Sequence, residues 1–233
     1  MQAVFVCGGR GTRLKPDHAG PKSLAPVGVT TLFDDLVTRI GPYHTSARPP
    51  IVIVDANDRE TPDVVAARLP RAAIVRQRRP DGVANALLLA RPLLDGPAIV
   101  ALGDLFLDGT FAAIPAAPAV AFWREAPDTE TVKNFGISVN DRGFIDAMVE
   151  KPCEPRGWRC GMGIYILTPA VIKCFRRAVV DPHTGERGIT DGLRAACVAG
   201  VRFRAIPFSG YYNNVNSKAD LIEAEHHVAR PVR

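Results

Sequence analysis

The chain has 233 residues, 47% hydrophobic and 23% charged, enough to bury a substantial core as one large α/β domain. Its formal net charge of +5 arises from 29 Lys and Arg against 24 Asp and Glu, mixed without a basic run or an interleaved aromatic stripe, which argues against nucleic acid and suits anionic phosphates. No apolar run approaches the roughly 18 residues of a membrane span, and the cysteines at 7, 153, 160, 174 and 197 show neither a Cys-x-x-Cys pair nor a histidine at zinc-site spacing, so the reading is a soluble, unprocessed cytoplasmic protein with reduced thiols.

The first predicted strand, residues 2–7, runs into Cys7-Gly8-Gly9-Arg10-Gly11-Thr12-Arg13-Leu14-Lys15-Pro16. Glycines directly after a buried strand let backbone amides turn inward on an anion, and Arg10, Arg13, Lys15 and Lys22 add cations suited to a polyphosphate. The P-loop pattern fails for want of a Gly-Lys pair, and the dinucleotide fingerprint fails because Leu14 stands where its third glycine belongs. Cys7 reads as a small packing residue rather than a nucleophile.

Further strands are expected at 50–55, 73–76, 98–102, 118–124, 135–139, 144–150, 162–167 and 202–206, with helices at 32–40, 60–68, 83–93, 169–179, 189–198 and 217–228. This alternation predicts a three-layer, doubly wound α/β fold on a mostly parallel sheet. Pro/Gly clusters near 41–50, 79–82, 95–97 and 115–118 are spaced as loops, not as a linker, so residues 1–233 read as one domain, with a Pro-, Arg- and Cys-rich loop at 152–160.

Three constellations sit at strand ends. Gln77 offers a donor and an acceptor to a base edge, and Gly82 allows backbone to approach a flat ring; read alone, the segment is equally an ordinary helix start with Asp81 near the cap. Asp104 follows the apolar run Ala98-Ile99-Val100-Ala101, where an acid is costly unless it meets a cation or another partner; a turn aspartate is the plainer alternative. Asp108 reads as a solvated loop residue, and His226-His227 as solvated side chains on a polar helix. Tyr212-Asn213-Asn214-Val215-Asn216-Ser217 reads by itself as an asparagine-rich turn capping the last helix.

In composite, the apolar strand, the Gly-Gly-x-Gly-Thr-Arg-Leu-x-Pro run and Pro21-Lys22-Ser23-Leu24 resemble the signature of the sugar-nucleotide pyrophosphorylases, the sugar-1-phosphate nucleotidyltransferases. The likeness extends from Met1 to about Glu225 and implies a Rossmann-like, GT-A-like bare catalytic domain, with a nucleotide half at about 1–110 and an acceptor half at about 111–233. Carried over, it gives Gly8, Gly9, Gly11 and Thr12 to the phosphates, Gln77 and Gly82 to the base, Arg13 to the leaving pyrophosphate and Lys22 to the α-phosphate. It assigns Mg²⁺ to Asp104 and an asparagine. Many relatives have Asp-x-Gly-Thr near the C-terminus, which would align Asn214, whereas those with Asn in this turn align Asn216, the favoured ligand.

The resemblance places the acceptor on Gly136, Glu150, Lys151 and Gly163, within Phe135-Gly136-Ile137, Glu150-Lys151-Pro152 and Gly161-Met162-Gly163-Ile164-Tyr165. Ile189-Thr190-Asp191 also matches, with Gly188 in place of a common Glu; Gly157-Trp158-Arg159-Cys160 replaces the usual Ser-Asn-x-Ala and leaves the acceptor open. The implied substrates are a nucleoside triphosphate and a sugar 1-phosphate, without nucleic acid or membrane, in a family where homo-oligomers are common. A cytidylyl- or guanylyltransferase acting on a cyclitol, heptose or phospho-alcohol phosphate is the second reading. A non-catalytic nucleotide sensor is the third.

Overall fold

The computed structural model describes residues 1–9, 14 and 18–229. In chain order the regular elements are β1 (Gln2–Val6), β2 (Pro26–Val27), β3 (Thr30–Thr31), α1 (Leu32–Ile40), β4 (Ile51–Asp55), α2 (Glu60–Arg68) and β5 (Ala73–Gln77). They continue as α3 (Val83–Ala90), β6 (Ala98–Leu102), β7 (Leu105–Phe111), β8 (Ala119–Arg124), α4 (Asp128–Thr131), β9 (Phe135–Val139) and β10 (Ile145–Glu150). The last are β11 (Arg159–Leu167), α5 (Pro169–Cys174), α6 (Ile189–Val198), β12 (Arg204–Asn214) and α7 (Lys218–Val228). The described residues of Met1–Pro80, Ala101–Asp108 and Gly210–Arg233 form one compact unit, and those of Asp81–Val100 and Gly109–Ser209 a second.

In the first unit, β5, β4 and β1 are parallel, with Val4 beside Ile51 and Ile51 beside Ala73. β1 and the first residues of β4 are buried throughout, which is why their sequences are continuous apolar runs without alternation. α1 begins where the Thr31 side chain accepts from Asp34 N at 3.1 Å, satisfying a donor that the helix leaves open. Its buried Leu32, Phe33, Leu36 and Ile40 recur at helical spacing, and Phe33 meets Phe5 edge-on at 5.8 Å between centroids. Burial of such a ring contributes about 2–3 kcal/mol.

A smaller core in the same unit gathers Leu14, Ala25, Val27, Leu32, Phe106, Val215 and Ala224, flanked by Tyr211 and Leu221. Its members lie just after Lys22, just after Asp104 and just before Asn216, so apolar packing sets the spacing of three polar residues far apart in sequence. α7 is fixed at its start by a capping box between Ser217 and Asp220.

In the second unit, β11 runs antiparallel to β8 and β12 parallel to it, with Ala121 opposite Tyr165 on one side and Ala205 on the other. The antiparallel β9–β10 pair joins β11 through Gly136 opposite Cys160. The β8–β11 register shifts between Gly161 and Tyr165, so Gly163 sits in a bulge. The expected α/β class is therefore found, on a mixed sheet with flanking helices. Among the described residues no helix is long and apolar enough to cross a membrane, and all five cysteines are free thiols.

Several elements differ from expectation. Leu105–Phe111 is a strand rather than a loop, and the last strand runs on to Asn214. Both escape pattern reading because Asp108-Gly109 and Pro207, Ser209 and Gly210 interrupt their apolar alternation. Arg159 and Cys160 belong to β11, not to the preceding loop. Asp108 is not simply solvated: Arg39 Nη2 donates to it at 2.8 Å and His227 Nε2 lies at 3.1 Å. The His227 hydrogen bond, with Arg39 adding its charge, holds the Asp108 carboxyl below the usual range. The His227 ring stacks on Tyr211 at 4.0 Å, so of the two C-terminal histidines only His226 is exposed.

Candidate functional site

Past β1, Cys7 N still donates to Ile53 O at 2.7 Å, carrying the sheet pairing up to Gly8. A side chain on Gly8 would begin 3.1 Å from Gln77 Oε1 and 3.5 Å from Asp55 N, whereas among the described residues nothing lies within 4 Å of a Cβ on Gly9. Absence of a side chain thus brings Gln77, 5% exposed at the end of β5, against the start of the glycine segment. Arg10, Gly11, Thr12, Arg13 and Lys15 lie outside the described residues.

Lys22 opens a short 3₁₀ turn, Lys22–Leu24, with Ser23 buried beneath it. Its ammonium donates to Asp104 Oδ2 and to Asn216 Oδ1, both at 2.7 Å, with the Lys22 side chain 11% exposed and that of Asp104 25%. Asp104 occupies the turn between β6 and β7, and its carbonyl accepts from Val215 N at 2.9 Å. Asn216 N donates to Asp220 Oδ2 at 2.9 Å, and its Nδ2 donates to Asn214 O at 3.2 Å. With the amide nitrogen held by the Asn214 carbonyl, the Asn216 side-chain oxygen is the atom presented beside Asp104.

Asp104 Oδ1 is buried with no hydrogen-bond partner among the described residues, an acceptor next to a bridged carboxylate oxygen. Among the described residues no group of three or more His, Cys, Asp and Glu could hold a metal. A cation here would take the Asp104 carboxylate and the Asn216 amide oxygen, both hard donors, and complete its shell from ligand oxygens or water.

Cys7 packs beneath this region, and Gly103 approaches so closely that a Cβ there would lie 2.9 Å from Cys7 Sγ. Burial, reinforced by the charges of Asp58 and Asp104, pushes its thiol up to about 12. Cys7 therefore stays protonated at neutral pH and has no nucleophilic part to play. We expect iodoacetamide to label exposed Cys153 in the native protein at pH 8 while Cys7 reacts only on unfolding, as peptide mass spectrometry would read out.

In the second unit, Gly82 has φ +100° and no room for a side chain: a Cβ would lie 2.1 Å from Arg187 O. The close approach that this glycine allows is thus to the Arg187 main chain. Gly82→Ala combines a left-handed backbone with a main-chain clash and is expected to destabilise the fold by about 2–4 kcal/mol, measurable as a lowered urea midpoint.

On the acceptor side, Glu150 ends β10 and accepts from Thr190 Oγ1 at 2.6 Å. Lys151 follows at φ +46°, the one non-glycine residue with positive φ among those described, held by its N–H to Asn134 O at 2.9 Å. Gly136 lies under Trp158 and Pro152, whose nearest atoms would be 3.0 and 3.2 Å from a Cβ there. Gly163 is buried in the β11 bulge. The sequence offered Ile189-Thr190-Asp191 as a motif without a role for Thr190, and gave no sign of the Trp158 cover.

A family model described as nucleotidyl transferase matches residues 2–230. The chain is 29% identical to a glucose-1-phosphate thymidylyltransferase of Streptomyces griseus, over 96% of this chain and 64% of that protein. The chain thus spans less than two thirds of that relative's length. Its identity to the UTP–glucose-1-phosphate uridylyltransferase AglF of Haloferax volcanii is 28%, covering 97% and 95% of the two chains. In fold it is similar to a UDP-glucose pyrophosphorylase solved with UDP-glucose, at a TM-score of 0.81 and 22% identity over 97% of each chain.

Proposed function

The chain belongs to the nucleotidyl transferase family, and on that premise we propose that it joins a nucleoside triphosphate to a sugar 1-phosphate, giving a nucleoside-diphosphate sugar and pyrophosphate. The observation that carries this reading is Lys22, whose ammonium bridges Asp104 and Asn216 at 2.7 Å. A lysine opening a 3₁₀ turn, a carboxylate just past β6 and an amide oxygen just past β12 suit a reaction in which charge on phosphate oxygens must be neutralised and moved.

The acceptor phosphate oxygen is already ionised, so no general base is needed. It attacks the α-phosphorus in line, a new P–O bond forms, and the bond to the β-phosphate oxygen breaks to release pyrophosphate. Catalysis is then chiefly positioning and charge stabilisation. Lys22 meets the α-phosphate and the incoming oxygen; Arg13 stabilises the departing pyrophosphate; amides of Gly8, Gly9, Gly11 and Thr12 hold the phosphates. Gln77 and the Gly82 backbone contact the base. Gly136, Glu150, Lys151 and Gly163 hold the acceptor, Lys151 neutralising its phosphate and Glu150 accepting from its hydroxyls.

Family members of this kind use a divalent metal, and Asp104 Oδ1, without a partner among the described residues, together with the Asn216 Oδ1 that Lys22 holds here, fits Mg²⁺ once Lys22 turns to a phosphate. When bound, Mg²⁺ would draw charge from the triphosphate oxygens. The substrates are those of a cytoplasmic enzyme, in keeping with the free thiols.

A second reading for the acceptor, a phosphorylated cyclitol, heptose or alcohol in a cytidylyl- or guanylyltransferase, rests on the acceptor-side segment Gly157-Trp158-Arg159-Cys160, which departs from the Ser-Asn-x-Ala usual in the family. Incubation with Mg²⁺, each common nucleoside triphosphate and a panel of these phosphates separates the readings by which pair releases pyrophosphate. Triphosphate binding with no release from any pair would instead support a nucleotide sensor.

A further inference from the structure

Resting on the acceptor role of Glu150 and the nucleotide role of Gly82 proposed above, we infer that Thr190 and Arg187 are positioning residues, and that the segment joining them sets the geometry of both substrate-facing sides of the second unit. Thr190 is 3% exposed, and its hydroxyl reaches across from the start of α6 to Glu150 Oε2 at 2.6 Å. Glu150 itself is exposed at a strand end, where a free carboxylate would sample several rotamers. A buried β-branched residue in the first turn of a helix has little such freedom. Its O–H selects one Glu150 orientation and leaves Oε1 to the acceptor.

Arg187 acts on the other side. Its N–H donates to Asp81 O at 2.8 Å and its carbonyl accepts from Ala84 N at 3.1 Å. Its guanidinium Nη1 donates to Asn85 Oδ1 at 3.1 Å, and Asn85 Nδ2 donates to Asp81 O at 3.0 Å. α3 begins at Gly82 with no side-chain cap, so its first turn takes its main-chain partner from Arg187 rather than from a capping residue. The backbone of the turn that contains Gly82 is therefore shaped by the Arg187 strand of chain, and Glu150 by Thr190 just beyond it.

Thr190→Val keeps the shape and removes the hydroxyl; Thr190→Ser restores the hydroxyl. With the substrate pair that releases pyrophosphate from the wild-type protein, Thr190→Val should raise the KM of the phosphorylated acceptor about tenfold, leave the triphosphate KM within about twofold, and be largely rescued by Ser. Arg187→Ala, which removes the guanidinium bond to Asn85 and leaves the Arg187 main-chain bonds in place, should show the opposite split, raising chiefly the triphosphate KM; an unchanged triphosphate KM would leave Arg187 no side-chain part in positioning the turn. Thermal unfolding of each variant guards against a global defect. Unchanged acceptor KM in Thr190→Val, or both KM values rising together with Ser no better than Val, overturns the assignment while the transferase reading stands. Absence of turnover in the wild-type protein with every pair removes that reading, and the positioning roles fall with it.

Discussion

Lys22→Ala is expected to lower the rate of pyrophosphate release by about a thousandfold with little loss of folded protein. The expected size follows from loss of the preorganised charge that the proposed reaction places at the α-phosphate, a loss that alone costs roughly a hundred- to a thousandfold. The ammonium also holds Asp104 Oδ2 and Asn216 Oδ1 at a common point, 2.7 Å from each, so the alanine variant loses the registration of both oxygens. Asp104 remains 25% exposed in its side chain, and water or a cation can reach it, which limits the cost to stability. Lys22→Arg should recover less than about a tenth of the lost rate, because a planar fork does not replace a compact charge between two converging oxygens. Steady-state rates beside thermal unfolding check both variants; near-normal turnover in Lys22→Ala would remove Lys22 from the reaction.

The second large effect is expected at Asp104. Asp104→Asn keeps the side-chain shape and one oxygen for Lys22 but deletes the only carboxylate of the bridged pair. Divalent-metal affinity should fall about ten- to a hundredfold and turnover by at least as much, with partial recovery at high metal concentration. Mn²⁺ binding followed by electron paramagnetic resonance reads the first effect without reference to activity. Asn216→Asp should move metal affinity the other way, since it adds charge at the neighbouring oxygen. An unchanged metal requirement in Asp104→Asn would place the cation elsewhere.

The legible part of this site lies where one short segment carries its own physical reason. An acid at the end of Ala98-Ile99-Val100-Ala101 calls for a partner, whereas the anion cradle expected of the glycines after β1 lies mostly outside the described residues. What the sequence could not display is that Lys22 would be that partner at 2.7 Å, because the encounter is set by the core of Leu14, Val27, Phe106, Val215 and Ala224, whose members come from distant parts of the chain. The ambiguity between Asn214 and Asn216 is of the same kind. Counting back from Leu221 gives Asn216 under one alignment and Asn214 under the other, whereas the contacts that distinguish the two, the Asn216 side-chain oxygen meeting Lys22 and the Asn214 carbonyl meeting the Asn216 amide, come from the fold.

Gly82 shows the limit from the other side. Its freedom to adopt φ +100° was readable as a need for close backbone approach, yet the neighbour, Arg187, is far along the chain and has no local signature. β7 and the second half of β12 were hidden because charged, proline and glycine positions break the alternation that marks a strand. His227 likewise reads as a polar helix residue until β12 supplies Tyr211 and β7 supplies Asp108.

The proposed reaction transfers the α-phosphoryl group, with its nucleoside, to a phosphorylated acceptor. Its most direct test follows nucleoside triphosphate labelled either at the α- or at the γ-phosphorus, with Mg²⁺ and glucose 1-phosphate or the acceptor found active. We expect α-label to enter a sugar nucleotide only when acceptor is present, while γ-label leaves in pyrophosphate at the same rate. Appearance of γ-label as inorganic phosphate, or retention of both labels in the triphosphate with every acceptor, would contradict it.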